Sequence, residues 1–129
     1  MRLLIDTQCW LWMNASPERL SSKALSLLRD PRNERLLSAA SIWEIGIKFQ
    51  IGKLALPAPP RVYVPSRMAL TLTNPLAIRE AHALGVVDLP AHHRDPFDRM
   101  LISQALMEGM PIVTSDRQFA RYDVEIVAA

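Results

Sequence analysis

Four acidic residues, Asp6, Glu44, Asp98 and Asp116, stand where short apolar runs give way to helix-like stretches. Each has an ordinary explanation. Asp6 follows RLLI and Asp116 follows MPIVTS, so either could end a strand and cap the next helix. Glu44 lies three residues after Ser41 and Asp98 three after Asp95, the spacing of a capping box. In HRDPFDRML, Asp95 suits an N-cap and Pro96 the first helical position, so this stretch reads first as a helix start. Their joint placement is harder to dismiss. Carboxylates gathered at one place repel unless a cation or a proton sits among them. An all-oxygen donor set suits Mg²⁺ or Mn²⁺ far better than zinc, and the single Cys9 and the adjacent His92 and His93 offer no zinc spacing. The two histidines read as loop residues. Asp95 is a fifth acid that the sequence leaves as either ligand or cap.

A carboxylate-held divalent ion has its main use in phosphoryl chemistry, where it lowers the pKa of a bound water and stabilises the leaving oxygen. The charge balance fits that use. Fifteen basic residues, twelve of them arginine, face thirteen acids, for a net charge of +2. If several acids are gathered at a metal, the remaining surface is basic and suited to a phosphodiester backbone. Arg94, Arg99 and Arg117 flank the acids and are the first candidates for that contact. The four glycines form no G-x-x-x-x-G-K or G-x-G-x-x-G run, which argues against nucleoside triphosphate or dinucleotide binding.

These residues need elements to position them. The apolar runs Arg2–Asp6, Glu34–Ala40, ALTLT (69–73), Met110–Asp116 and VEIVA (124–128) read as strands. Helices are predicted over TQCWLWMN, from Ser16–Pro17 through Asp30, from a Ser41 cap through SIWEIGIKFQIGKL, from Asn74–Pro75 to a stop at Gly85, and from Asp95 to Gly109. Leu56–Met68 is proline-rich and reads as a connector or broken helix. Strands alternating with helices imply a three-layer α/β/α fold with a central, mainly parallel sheet. Right-handed crossovers bring the carboxyl ends of the strands, and with them three of the four acids, to one edge.

The whole chain is consistent with a single domain over 1–129. Cys9 in QCWLWM reads as a buried thiol in a reducing compartment. No apolar run reaches the ~18 residues that span a bilayer. Asp6 interrupts the apolar start too early for a signal peptide, so a cytoplasmic, non-membrane protein is expected.

LLIDT, SAASIWEIGIK, HRDPFDRMLISQALMEG and IVTSD-x-x-F-x-x-Y, in that order, resemble a PIN domain. They are most similar to the VapC-like toxin ribonucleases of bacterial toxin–antitoxin pairs. The resemblance covers nearly the whole chain. It implies a metal-dependent endoribonuclease whose acidic tetrad is Asp6, Glu44, Asp98 and Asp116, with Thr7 and Ser115 as flanking hydroxyls. It also implies a homodimer, a cognate antitoxin protein and an RNA substrate. Relatives often carry His where Gln8 stands, and Pro65 falls in a region that is usually helical. Two other readings compete: a PIN-like RNA-binding or regulatory module without turnover, and a phospho-receiver domain. The receiver would need an acceptor Asp after the third strand and a Lys after a late one, which ALTLTN and VTSDR lack.

Overall fold

The structure, a computed structural model, describes residues Met1–Ala129. Five strands, β1 (Arg2–Ile5), β2 (Glu34–Ser38), β3 (Thr73–Leu76), β4 (Ile112–Thr114) and β5 (Ile126–Ala128), form one sheet in the order β3-β2-β1-β4-β5. Every pairing is parallel. Helices α1 (Thr7–Ala15), α2 (Ser22–Arg29), α3 (Ala39–Gln50), α4 (Pro60–Leu70), α5 (Glu80–Val87) and α6 (Pro96–Glu108) complete a three-layer α/β/α fold. No helix is long and apolar enough to cross a membrane.

The strands read as continuous apolar runs because both faces of the sheet are covered. Their pleat sends alternate residues to two separate cores. Leu3, Ile5, Leu37 and Val113 pack with Cys9, Trp10, Ala24, Leu28, Ile45 and Val64. Leu4, Leu36 and Ile112 pack on the opposite side with Leu101, Ile102, Ala105 and Phe119. Burial pushes the Cys9 thiol up, away from the reactive thiolate, in keeping with a structural role.

From β1 the chain adds β2 and β3 outward on one side, then returns to place β4 and β5 on the other. The direction of strand addition therefore reverses between β1 and β4. In open parallel sheets the crevice at the carboxyl ends of two such strands is where ligands bind. Asp6 comes directly after β1 and Asp116 two residues after β4, so the fold delivers both to that crevice.

Several predicted boundaries move, each for a local reason. Helix α3 starts at Ala39 with Ser38 as cap, its hydroxyl accepting the Ala40 N–H at 3.0 Å. Ser41 is thus inside the helix, and Glu44 belongs to no capping box. The stretch after Ser16 is a 3₁₀ turn (Pro17–Arg19) followed by α2 under a Ser21 cap. Pro60 opens α4, which continues through Pro65. The third strand is not ALTLT but Thr73–Leu76, so Asn74 and Pro75 lie in a strand instead of starting a helix. A proline is tolerated there because β3 is an edge strand. Gly85 does not end its helix. It lies within α5 where that helix presses on α6, and a Cβ there would come within 2.7 Å of the Ser103 hydroxyl. Gly109 does end α6, at φ +64°.

Candidate metal centre

A cleft of about 430 Å³ opens at the β1–β4 crevice. Asp6, Glu44, Asp98 and Asp116 all line it, together with Asp95, Thr7, Gln8 and Ser115. Four elements deliver the acids, and each does so by a different local device.

Asp6 caps α1. Its Oδ1 accepts the Cys9 N–H at 2.7 Å and its Oδ2 accepts the Thr114 hydroxyl. Thr114 also accepts the Asp116 N–H at 3.0 Å, so one hydroxyl on β4 ties the two strand-end acids together. Asp6 is almost fully buried, and that burial raises its carboxyl above the usual aspartate range, with Glu44 adding to the rise. Thr7 donates to the Ser41 hydroxyl at 2.9 Å, which pins the start of α1 to α3.

Glu44 lies in the second turn of α3, on the face toward the cleft. Only 5% of it is exposed. Its Oε2 pairs with Lys48 Nζ at 2.6 Å, and its Oε1 is buried with no hydrogen-bond partner. A buried carboxylate oxygen without a donor is costly unless something positive meets it.

On the other wall, Asp95 caps α6. Its Oδ1 accepts the N–H groups of Phe97 and Asp98 at 2.8 and 3.1 Å. Asp98 does not complete a capping box, because the Asp95 N–H donates to His93 Nδ1 at 3.1 Å. Asp98 is released toward the cleft. Desolvation, reinforced by the negative charge of Asp95, pushes its carboxyl up to about 7, against an ordinary 3.8. Asp116 caps the 3₁₀ turn Arg117–Arg121 through Oδ1, which accepts the Gln118 N–H at 2.9 Å.

His93 bridges the two open acids. Its Nε2 lies 3.1 Å from Asp98 Oδ2 and 3.0 Å from Asp116 Oδ2. Since Nδ1 accepts from the Asp95 backbone, the hydrogen resides on Nε2 and is donated to Asp116 Oδ2, with Asp98 Oδ2 close beside it. The imidazole therefore acts as a donor, although the spacing of His93, Asp98 and Asp116 would also suit a cation.

Arg99, a candidate phosphate contact, is engaged within the protein. Its guanidinium donates to the carbonyls of Pro90, Val86, His93 and Leu89 and reaches the Tyr122 hydroxyl. This five-donor fork fastens the end of α5 to the loop that follows it. Arg94 and Arg117 are exposed, and neither lines the cleft.

Sequence reasoning missed His93, Thr114, Lys48 and Lys53. For Thr114 a signal existed: a hydroxyl two residues before an acid commonly accepts that acid's N–H. For His93 none did, because its partners lie 5 and 23 residues away.

The donor set fits a hard divalent cation. Five carboxylates line one cleft without one cysteine, and one of their oxygens, Glu44 Oε1, is buried without a partner.

The PIN domain family model matches residues 3–125. Ribonuclease VapC16 of Mycobacterium tuberculosis is 46% identical over 68 residues, which are 50% of this chain and 48% of that relative; the match spans about half of its length. VapBC2 from Rickettsia felis, solved bound to a promoter DNA fragment, superposes with a TM-score of 0.72 at 14% identity over 99% of this chain and 98% of that one. VapBC-1 from nontypeable Haemophilus influenzae gives 0.68 at 19% over 99% and 98%. At such identities the two structures speak for the fold. With the family model spanning nearly every residue, and with that fold and acidic crevice present, the chain belongs to the PIN domain family.

Proposed function

We propose that this protein is a divalent-metal-dependent endoribonuclease, the toxin of a toxin–antitoxin pair, acting in the cytoplasm. The carrying observation is the convergence of Asp6, Glu44, Asp98 and Asp116 on one cleft, with a buried Glu44 oxygen left unpartnered. These four would hold Mg²⁺ or Mn²⁺, with Asp95 able to offer its second oxygen. When bound, such an ion supplies Lewis-acid activation of water and of the phosphodiester.

The chain's own residues do the rest. Thr114 and the Cys9 amide fix the Asp6 carboxylate, and His93 lies between Asp98 and Asp116. Without metal, Asp98 holds a proton up to about pH 7, and a bound cation would displace it. The exposed Arg94 and Arg117 offer phosphate contacts beside the cleft. Ser115 and Gln8 line its mouth.

For partners, the solved neighbours are toxin–antitoxin assemblies by title, which supports a cognate antitoxin here. A homodimer is supported by an apolar patch on α3 and α6. Trp43 is 64% exposed and sits edge-on to Phe97 at 5.3 Å, beside Ile78, Val86 and Met100.

The test is cleavage of RNA by the purified protein with Mg²⁺ or Mn²⁺ and with EDTA. Cleavage that needs the metal is expected. Undiminished cleavage in EDTA, or none with either ion, overturns the proposal.

A further inference from the structure

The cleft presents a problem for the substrate proposed above. Five carboxylates line it, and a polyanion approaching them is repelled over any distance shorter than the screening length. A bound divalent ion would offset part of that charge, and cationic side chains lining the cleft can offset more. None of the twelve arginines lines the cleft, yet two of the chain's three lysines, Lys48 and Lys53, do.

We propose that Lys48 and Lys53 form a phosphate-binding wall that holds the RNA phosphodiester against the carboxylates; this rests on the ribonuclease reading.

Lys48 alone would be explained as an i, i+4 partner of Glu44. Lys53 is not explained that way. It is exposed and makes no ion pair. It reaches the cleft because the chain doubles back after α3. Gly52 takes φ +76°, and the N–H groups of Lys53 and Leu54 both donate to the Lys48 carbonyl, at 2.8 and 3.1 Å. A residue with a Cβ is strained at that φ, so the turn that places Lys53 depends on Gly52. The backbone of one lysine thus anchors the other, and both residues line the same cleft.

The pairing of Lys48 is also incomplete. Half of its side chain remains exposed, and it engages only Oε2 while Oε1 of the same buried carboxylate stays without a partner. A Glu44 given over to a cation loses its attraction for Lys48 and leaves the ammonium to a phosphate oxygen. An ammonium is a compact charge with three donors and suits a single phosphate oxygen, whereas the planar arginine fork suits two.

The experiment compares the full chain with Lys48→Met and Lys53→Met in two measurements. One is steady-state cleavage of a single-stranded RNA oligonucleotide with Mn²⁺ across a salt series. The other is binding of Mn²⁺ alone. Both side chains are half or fully exposed, so the variants should fold, which thermal melting checks. For each variant KM should rise about tenfold, and the slope of log KM against log salt should fall by about 0.7, as for one lost phosphate contact. Mn²⁺ should bind Lys48→Met at least as tightly as the parent, because a positive charge beside Glu44 has gone, and Lys53→Met equally well. A purely structural Lys48 would weaken metal and RNA together, and that outcome overturns the inference. So does an unchanged KM in both variants while the parent cleaves. A parent that cleaves no RNA with Mn²⁺ sinks the ribonuclease reading itself and the phosphate wall with it.

Discussion

The cleft has a buried wall, with Asp6 and Glu44, and an open wall, with Asp98 and Asp116, and the two solve the problem of like charges differently. On the buried wall Asp6 is fixed by two N–H or O–H donors, while Glu44 has a lysine on one oxygen and nothing on the other. On the open wall one imidazole donates to Asp116 and lies against Asp98, which accommodates its neighbours by holding a proton up to about pH 7. The buried side is thus preorganised and waiting for positive charge. The open side is adjustable, because a proton and a histidine N–H stand in for that charge. A rigid half and a protonatable half together allow a cation to enter without a large rearrangement of the fold.

The largest effect should come from the rigid half. Asp6→Asn keeps the helix cap and the shape but removes the charge. Metal-dependent cleavage should fall about a thousandfold or more, since the metal's charge stabilisation is worth several kcal/mol and each ~1.4 kcal/mol is tenfold. The thermal midpoint without metal should hold or rise. Single-turnover cleavage and melting curves check both, and a variant that cleaves like the parent would remove Asp6 from the site.

The adjustable half should show itself in pH. With its carboxyl at about 7 in the folded state against 3.8 ordinarily, Asp98 keeps a proton after folding that it has lost when unfolded. The folded state therefore binds more protons between about pH 4 and 7, and metal-free stability should fall as pH rises through that window, then level off. The share due to Asp98 is on the order of 4 kcal/mol. Asp6, raised by burial, adds in the same direction. Asp98→Asn should flatten the slope, leaving the part due to Asp6. Mn²⁺ affinity should climb over the same window, because the ion displaces the protons. Denaturant melts in EDTA from pH 4 to 8 test this, and a parent whose stability rises throughout would contradict it.

His93 joins the two acids of the open wall, so its removal should cost less than removal of an acid and more than removal of a cap. His93→Ala leaves the tetrad intact but lets Asp98 and Asp116 drift. A loss of about 10- to 100-fold in metal affinity or cleavage is expected, the range for groups that orient a ligand. His93→Gln should recover part of it by supplying one donor. Isothermal titration with Mn²⁺ against all three proteins decides, and equal affinities would reduce the imidazole to a loop contact.

The same contrast sets what could be read from sequence. The strand-end acids were legible because an apolar run broken by Asp, twice, reports the carboxyl edge of a parallel sheet whatever the rest of the chain does. For Glu44 the ordinary alternative fails: Ser41-x-x-Glu44 has capping-box spacing, but Ser38 takes the cap three residues earlier, and Glu44 lies in the second turn facing the cleft. ALTLT looked like a strand by propensity, yet α4 ran on into it, and the edge of the sheet accepted TNPL instead. Gly85 looked like a stop and was a contact. The histidine bridge, the arginine fastened to loop carbonyls and the second lysine are products of tertiary contact. Their partners are set by how a loop and a turn close over the cleft, which no local spacing records.

The smallest expected effect separates the two acids of HRDPFDRML. Asp95 caps α6 with Oδ1, and its N–H is held by His93, so its structural work is complete without the cleft. Asn accepts the same N–H groups, and Asp95→Asn should be close to neutral in stability; Asp95→Ala should cost about 1 kcal/mol. Asp95 is also the charge that most raises Asp98 after burial itself. Asp95→Asn should therefore lower the Asp98 carboxyl and move the onset of metal binding to lower pH, while cleavage near neutrality stays within a few-fold of the parent. Asp98→Asn should lose cleavage by orders of magnitude, though no more than Asp6→Asn. Equal and severe losses in Asp95→Asn and Asp98→Asn would instead make Asp95 a fifth ligand, its Oδ2 serving the cation while Oδ1 serves the helix.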